Sequence, residues 1–146
     1  MAETVAQRPV RPISIVRRPI YSLLLPVPVV CFLGAVLTDL AYQGSGGTLL
    51  WVNMSSWLIA AGLLFGAIAG IVGLIDAIRG GARWIPFGLL FAAWVVEFIN
   101  SLVHARDGWT AVVPLGLTLS IVGAILILLT GWLGQSVRYP VVREAA

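Results

Sequence analysis

Four apolar runs, each about as long as a bilayer's hydrocarbon core is thick, constrain this chain more than any other feature. They cover roughly residues 23–41, 55–78, 84–104 and 111–133. Crossing ~30 Å of hydrocarbon takes ~20 helical residues, and each run is near that length. Backbone N–H and C=O groups in lipid must pair within their own segment, so such runs form helices, not open strands. The prediction is an all-α, integral membrane four-helix bundle. Residues 18–139 form its transmembrane domain. Residues 1–17 read as a flexible N-terminal tail and 140–146 as a short C-terminal one.

Composition supports membrane insertion. Of 146 residues, 60% are hydrophobic and 10% charged, against about 25% charged in an ordinary soluble domain. All nine basic residues are arginine. Arg8, Arg11, Arg17 and Arg18 precede the first run, Arg79 and Arg83 follow the second, and Arg138 and Arg143 follow the fourth. Only Arg106 lies on the other side. By the positive-inside rule both termini are cytoplasmic, in a multi-pass protein of the bacterial inner membrane. Flanking arginines suit a membrane surface, so no nucleic-acid partner is expected. Trp51, Trp84, Trp109 and Trp132 sit near run ends, as interfacial anchors do.

The first run resembles a signal peptide in its basic start and apolar stretch. Asp39 interrupts its end and no clear cleavage site follows, so it is read as a retained span. Pro26 and Pro28 are tolerated only at a helix start, which places the start of the continuous helix near Pro26. The single cysteine, Cys31, is read as a small packing residue.

Lipid gives little hydrophobic drive between helices, so small residues mark close approach. Gly62, Gly66, Gly70 and Gly73 form such a stripe on the second span, and Gly116, Ser120 and Gly123 another on the fourth. Both are expected to face helices, within the chain or between subunits.

The third span carries polar residues on one face: Glu97, then Asn100, Ser101 and His104 at i+3, i+4 and i+7. An ionised carboxylate facing lipid there would cost several kcal/mol. Glu97 is therefore expected to point into the bundle, with Asn100 or a polar group of a neighbouring helix within reach; Thr38, Ser55, Ser56 and Ser120 are the best-placed of the latter. Thr38 and Asp39 end the first span at the same level. The cluster Glu97, Asn100, Ser101, His104, Asp39 and Thr38 reads either as a hydrogen-bonded packing network or as an outward-facing polar cavity holding a ligand or proton.

Motifs of catalysis and cofactor binding are missing. There is no CxxC, HExxH, phosphate loop or nucleophile elbow, and one histidine cannot make a bis-histidine haem site. No enzyme activity, cofactor or metal is expected. Membrane lipids, a second copy of the chain or a larger membrane complex are the expected partners. The leading reading is a non-catalytic structural or accessory subunit. A small transport or proton-handling protein using Glu97, and a redox subunit binding quinone or haem, are the alternatives.

The stretch AVVPLGLTLSIVGAILILLTGWLGQSVRY resembles the C-terminal signature of an uncharacterised family of small bacterial four-helix inner-membrane proteins, a domain of unknown function numbered twenty-two thirty-one. Gly131, Trp132, Leu133 and Gly134, then Val137 and Tyr139 around Arg138, carry the likeness. Gly73 to Asp76, Asp39 and Asn100 match as well, and the resemblance extends from Arg18 to Tyr139. It implies the same four-helix architecture. The family often opens with His-Pro-x-His-Pro, where this chain has Arg18, Tyr21 and Ser22 instead. A histidine early in the third span is replaced by Phe91. Any haem or metal site those histidines form in relatives would be missing here, and Glu97 lies outside the family pattern. Members occur near periplasmic dehydrogenases and cytochromes, which implies an accessory role in a redox complex.

Overall fold

The structure is a computed structural model, and it describes residues 23–81, 84–106 and 112–134. The two tails, Arg18, Tyr21, Arg83, Trp109, Val137, Arg138 and Tyr139 lie outside the described residues. Four helices are long and apolar enough to cross a membrane, and no strand occurs among the described residues. They are α1 (Pro26–Gly44), α2 (Leu49–Asp76), α3 (Trp84–His104) and α4 (Leu117–Gly134).

Local chemistry sets the boundaries. α1 begins on proline, where the missing N–H is no loss. It ends before a tight connection in which Gly46 (φ 69°) and Gly47 (φ 96°) take left-handed backbone that other residues resist. α2 therefore begins at Leu49, earlier than the residue 55 boundary expected from hydropathy. Asn53, Ser55 and Ser56 are polar, yet a helix satisfies their backbone as well as that of their apolar neighbours. A π-helical turn, Ala77–Gly81, continues α2. Another, Val112–Gly116, leads into α4; Val113 is extended there, as a residue before proline prefers.

Sequential helices run antiparallel, and each packs on its two ring neighbours, with α1 meeting α4. The interior is layered along the bundle axis. An apolar layer of Cys31, Phe32, Ala69, Leu90, Ala93 and Ile127 fills one half. Tyr42, Val52 and Val112 form a smaller apolar cap at the end where α1 joins α2 and α3 leads to α4. Between them lies a polar layer. The outer surface suits lipid: Trp57 is 73% exposed and Trp132 80%. Leu37, Leu64, Phe91 and Ile125 are exposed too.

The glycines of α2 do not make one continuous helix contact. A Cβ on Gly62 would strike the Phe32 ring of α1, so close approach there depends on glycine. A Cβ on Gly66 would make ordinary contact with Trp94 and Pro28, at 3.4 and 3.8 Å. At Gly70 it would meet nothing within 4 Å. Gly73 is half-buried. The expected packing face thus divides, with open space beside Gly70. The gap is an apolar groove of about 290 Å³, with Gly66, Gly70, Phe87, Phe91 and Trp94 among its walls. Trp94 closes one end by donating its indole N–H to the Leu63 carbonyl, 2.9 Å away.

Candidate functional site

The polar layer is built around Asp39. This residue lies on the α1 face that also buries Phe32, Ala35 and Tyr42, at spacings of three and four. Its Oδ1 accepts from the Ser55 hydroxyl of α2 at 2.5 Å, and its Oδ2 from the Ser120 hydroxyl of α4 at 2.6 Å. His104 Nε2 of α3 lies 3.0 Å from Oδ1. One carboxylate thus touches all three other helices. Asp39, Ser55 and Ser120 are fully buried, and His104 is 1% exposed.

His104 is held from both sides of its ring. Nδ1 lies 3.0 Å from the Asn100 carbonyl. A carbonyl oxygen only accepts, so Nδ1 carries its hydrogen. Nε2 faces Asp39 and is 3.2 Å from the Ser55 hydroxyl. Neither nitrogen is open to an iron or other metal, which removes from the haem reading the one histidine it had.

Asn100 links this hub to Glu97. Its amide donates to Ser120 Oγ at 2.8 Å and to Glu97 Oε2 at 3.0 Å. Glu97 points into the bundle and is fully buried, with Asn100 as its hydrogen-bond partner. Thr38, Ser55, Ser56 and Ser120 do not bond to it directly. Two buried acceptors have no partner: Glu97 Oε1 and Asn100 Oδ1.

The stripes on α3 and α4 fit each other. Glu97, Asn100 and His104 descend α3 at spacings of three and four. Gly123, Ser120 and Gly116 run along antiparallel α4 at the same spacings. A Cβ on Gly123 would overlap the Glu97 carboxyl group, and one on Gly116 would lie 3.0 Å from the His104 ring. Large polar side chains on one helix occupy the room left by glycines on the other.

Two residues of the expected cluster stand apart. Thr38 is buried, but its hydroxyl bonds back to the Gly34 and Ala35 carbonyls, both at 3.0 Å. Ser101 is half-buried and donates to the Phe98 carbonyl at 2.7 Å. Short hydroxyl side chains in helices readily bond their own preceding turn. The layer is also closed: its members are 0–1% exposed under the Tyr42–Val52–Val112 cap. Among the described residues, side chains from all four helices meet one another in this layer.

The hub of the cluster is Asp39, not the Glu97 at the head of the α3 stripe. The available signal was the spacing Ala35, Asp39, Tyr42, which sets the carboxylate on the packing face of α1.

A family model described as predicted membrane protein (DUF2231) matches residues 17–142. The chain belongs to this family. No curated protein and no solved structure matches it. Phe91 lines the apolar groove.

Proposed function

We propose that this DUF2231 protein is a non-catalytic structural or accessory subunit of a larger assembly in the bacterial inner membrane, with both termini cytoplasmic. The observation that carries this reading is the closed polar layer. Asp39, Ser55, Asn100, His104 and Ser120 turn their polar groups toward one another from four different helices. Such a network favours one arrangement of the bundle over others. Apolar side chains cover the outside, which suits packing against lipid or other spans. The arginine split supports the orientation.

Cross-linking in native membranes, followed by mild-detergent affinity purification of the tagged chain, tests the subunit role. The expected result is a stoichiometric cross-linked species larger than the monomer, containing either further copies or a distinct membrane protein. A chain that stays monomeric at saturating cross-linker would overturn the proposal.

A further inference from the structure

We propose that Glu97 is a proton-binding site of the bundle: its bare Oε1 takes up and releases one proton inside the closed polar layer. The inference holds whether or not the bundle joins a larger assembly. Its first support is a count of hydrogens. The Ser55 and Ser120 hydroxyls both donate to Asp39. The two amide hydrogens of Asn100 go to Glu97 and Ser120. The Nδ1 hydrogen of His104 goes to the Asn100 carbonyl. Every side-chain hydrogen in the layer is engaged, yet Glu97 Oε1 and Asn100 Oδ1 still lack a donor. What the layer is short of is a hydrogen.

The second support is charge. The titratable groups facing Glu97 are Asp39 from α1 and His104 from its own helix. Toward this layer α2 contributes the Ser55 hydroxyl, while α4 contributes the Ser120 hydroxyl and the bare backbone of Gly123. Asp39 is matched by His104, whose Nε2 lies 3.0 Å from its Oδ1. An ionised Glu97 would leave one uncompensated negative charge in a layer with no arginine. Uncompensated charge at this depth is costly.

The two carboxylates are not equivalent. Asp39 has a donor at each oxygen, whereas Glu97 has one donor in all. Asp39 is therefore already satisfied as an anion and Glu97 is not. A sodium ion would also supply positive charge, but hard metal cations gather several oxygen ligands, and only two oxygens here are bare. The step is the simplest possible: a proton adds to Oε1 and forms one O–H bond, and the side chain goes from one negative charge to none. On release the proton returns to water.

Infrared difference spectra of the lipid-reconstituted protein between acid and alkaline pH test this. The expected result is loss of one carboxylic-acid carbonyl band at high pH and release of one proton per chain, read with a pH dye. The band should shift when glutamates, not aspartates, carry carbon-13. It should vanish, with the released proton, in Glu97→Gln. Of the three glutamates, Glu3, Glu97 and Glu144, only Glu97 lies in a span. Should Glu97→Gln fail to fold, the carbon-13 arm decides alone. A spectrum with no titrating carboxyl would overturn the proposal. So would a band that follows the aspartate label, or one that survives Glu97→Gln. Replacing sodium by potassium should leave the titration midpoint unchanged; a shift would assign the site to sodium and overturn the proton.

Discussion

Asp39 and Glu97 are both carboxylates buried in a membrane bundle, and their surroundings give them different roles. Asp39 is tied to three helices at once: Ser55 and His104 share its Oδ1, while Ser120 alone serves its Oδ2. The Ser120 hydroxyl donates to Asp39 and accepts from Asn100. Ser120→Ala therefore strands an acceptor on one side and a donor on the other. A loss of about 1–3 kcal/mol is expected, the usual cost of an unpaired buried group. Ser101→Ala removes a hydroxyl that bonds only its own helix, and is expected within about 0.5 kcal/mol of wild type. Reversible unfolding in detergent compares the two; equal effects would mean that the Ser120 bonds contribute nothing to stability.

At the scale of helices, the fit between α3 and α4 follows from matched spacings. Glu97 rests where Gly123 has no side chain. Gly123→Ala should displace the Glu97 carboxyl group from Asn100 and cost about 1–3 kcal/mol, as overpacking does. Adding Glu97→Ala to Gly123→Ala should recover part of that loss. Gly70→Ala, facing the open groove, should be neutral within about 0.5 kcal/mol. Thermal melts of the three variants check this, and a Gly70→Ala as damaging as Gly123→Ala would contradict the assigned contacts. The helices themselves were legible in the sequence, because apolar length leaves a membrane chain few options. α3 runs from Trp84 to His104, as hydropathy indicates. The inward face of Glu97 was legible too, since lipid exposure is so costly. Which helix each glycine meets was not. Gly62, Gly66 and Gly70 share one spacing, but a Cβ would meet Phe32 of α1 at the first, Trp94 of α3 and Pro28 of α1 at the second, and nothing within 4 Å at the third. The exclusion of Ser101 was equally hidden, because a hydroxyl at i+4 can satisfy itself on its own backbone.

At the scale of the whole molecule, the DUF2231 bundle combines an apolar half, a closed polar layer and an apolar cap. The polar layer lies toward the end where α1 joins α2, opposite the end at which α1 begins. With cytoplasmic termini, that end faces away from the cytoplasm. Single-cysteine labelling of Gly46→Cys and Arg138→Cys, on a background lacking Cys31, should modify the first from outside and the second only after permeabilisation; the reverse pattern would invert the bundle. Asp39 joins the four helices through His104, Ser55 and Ser120. A double-mutant cycle of Asp39→Ala and His104→Ala, read by reversible unfolding in detergent, measures this directly. Asp39→Ala is expected to cost about 3–5 kcal/mol, as breaking a buried charged pair does. Its coupling to His104→Ala should exceed about 0.5 kcal/mol. Additive effects, with Asp39→Ala no worse than Ser101→Ala, would contradict the polar layer as the element that holds the bundle together.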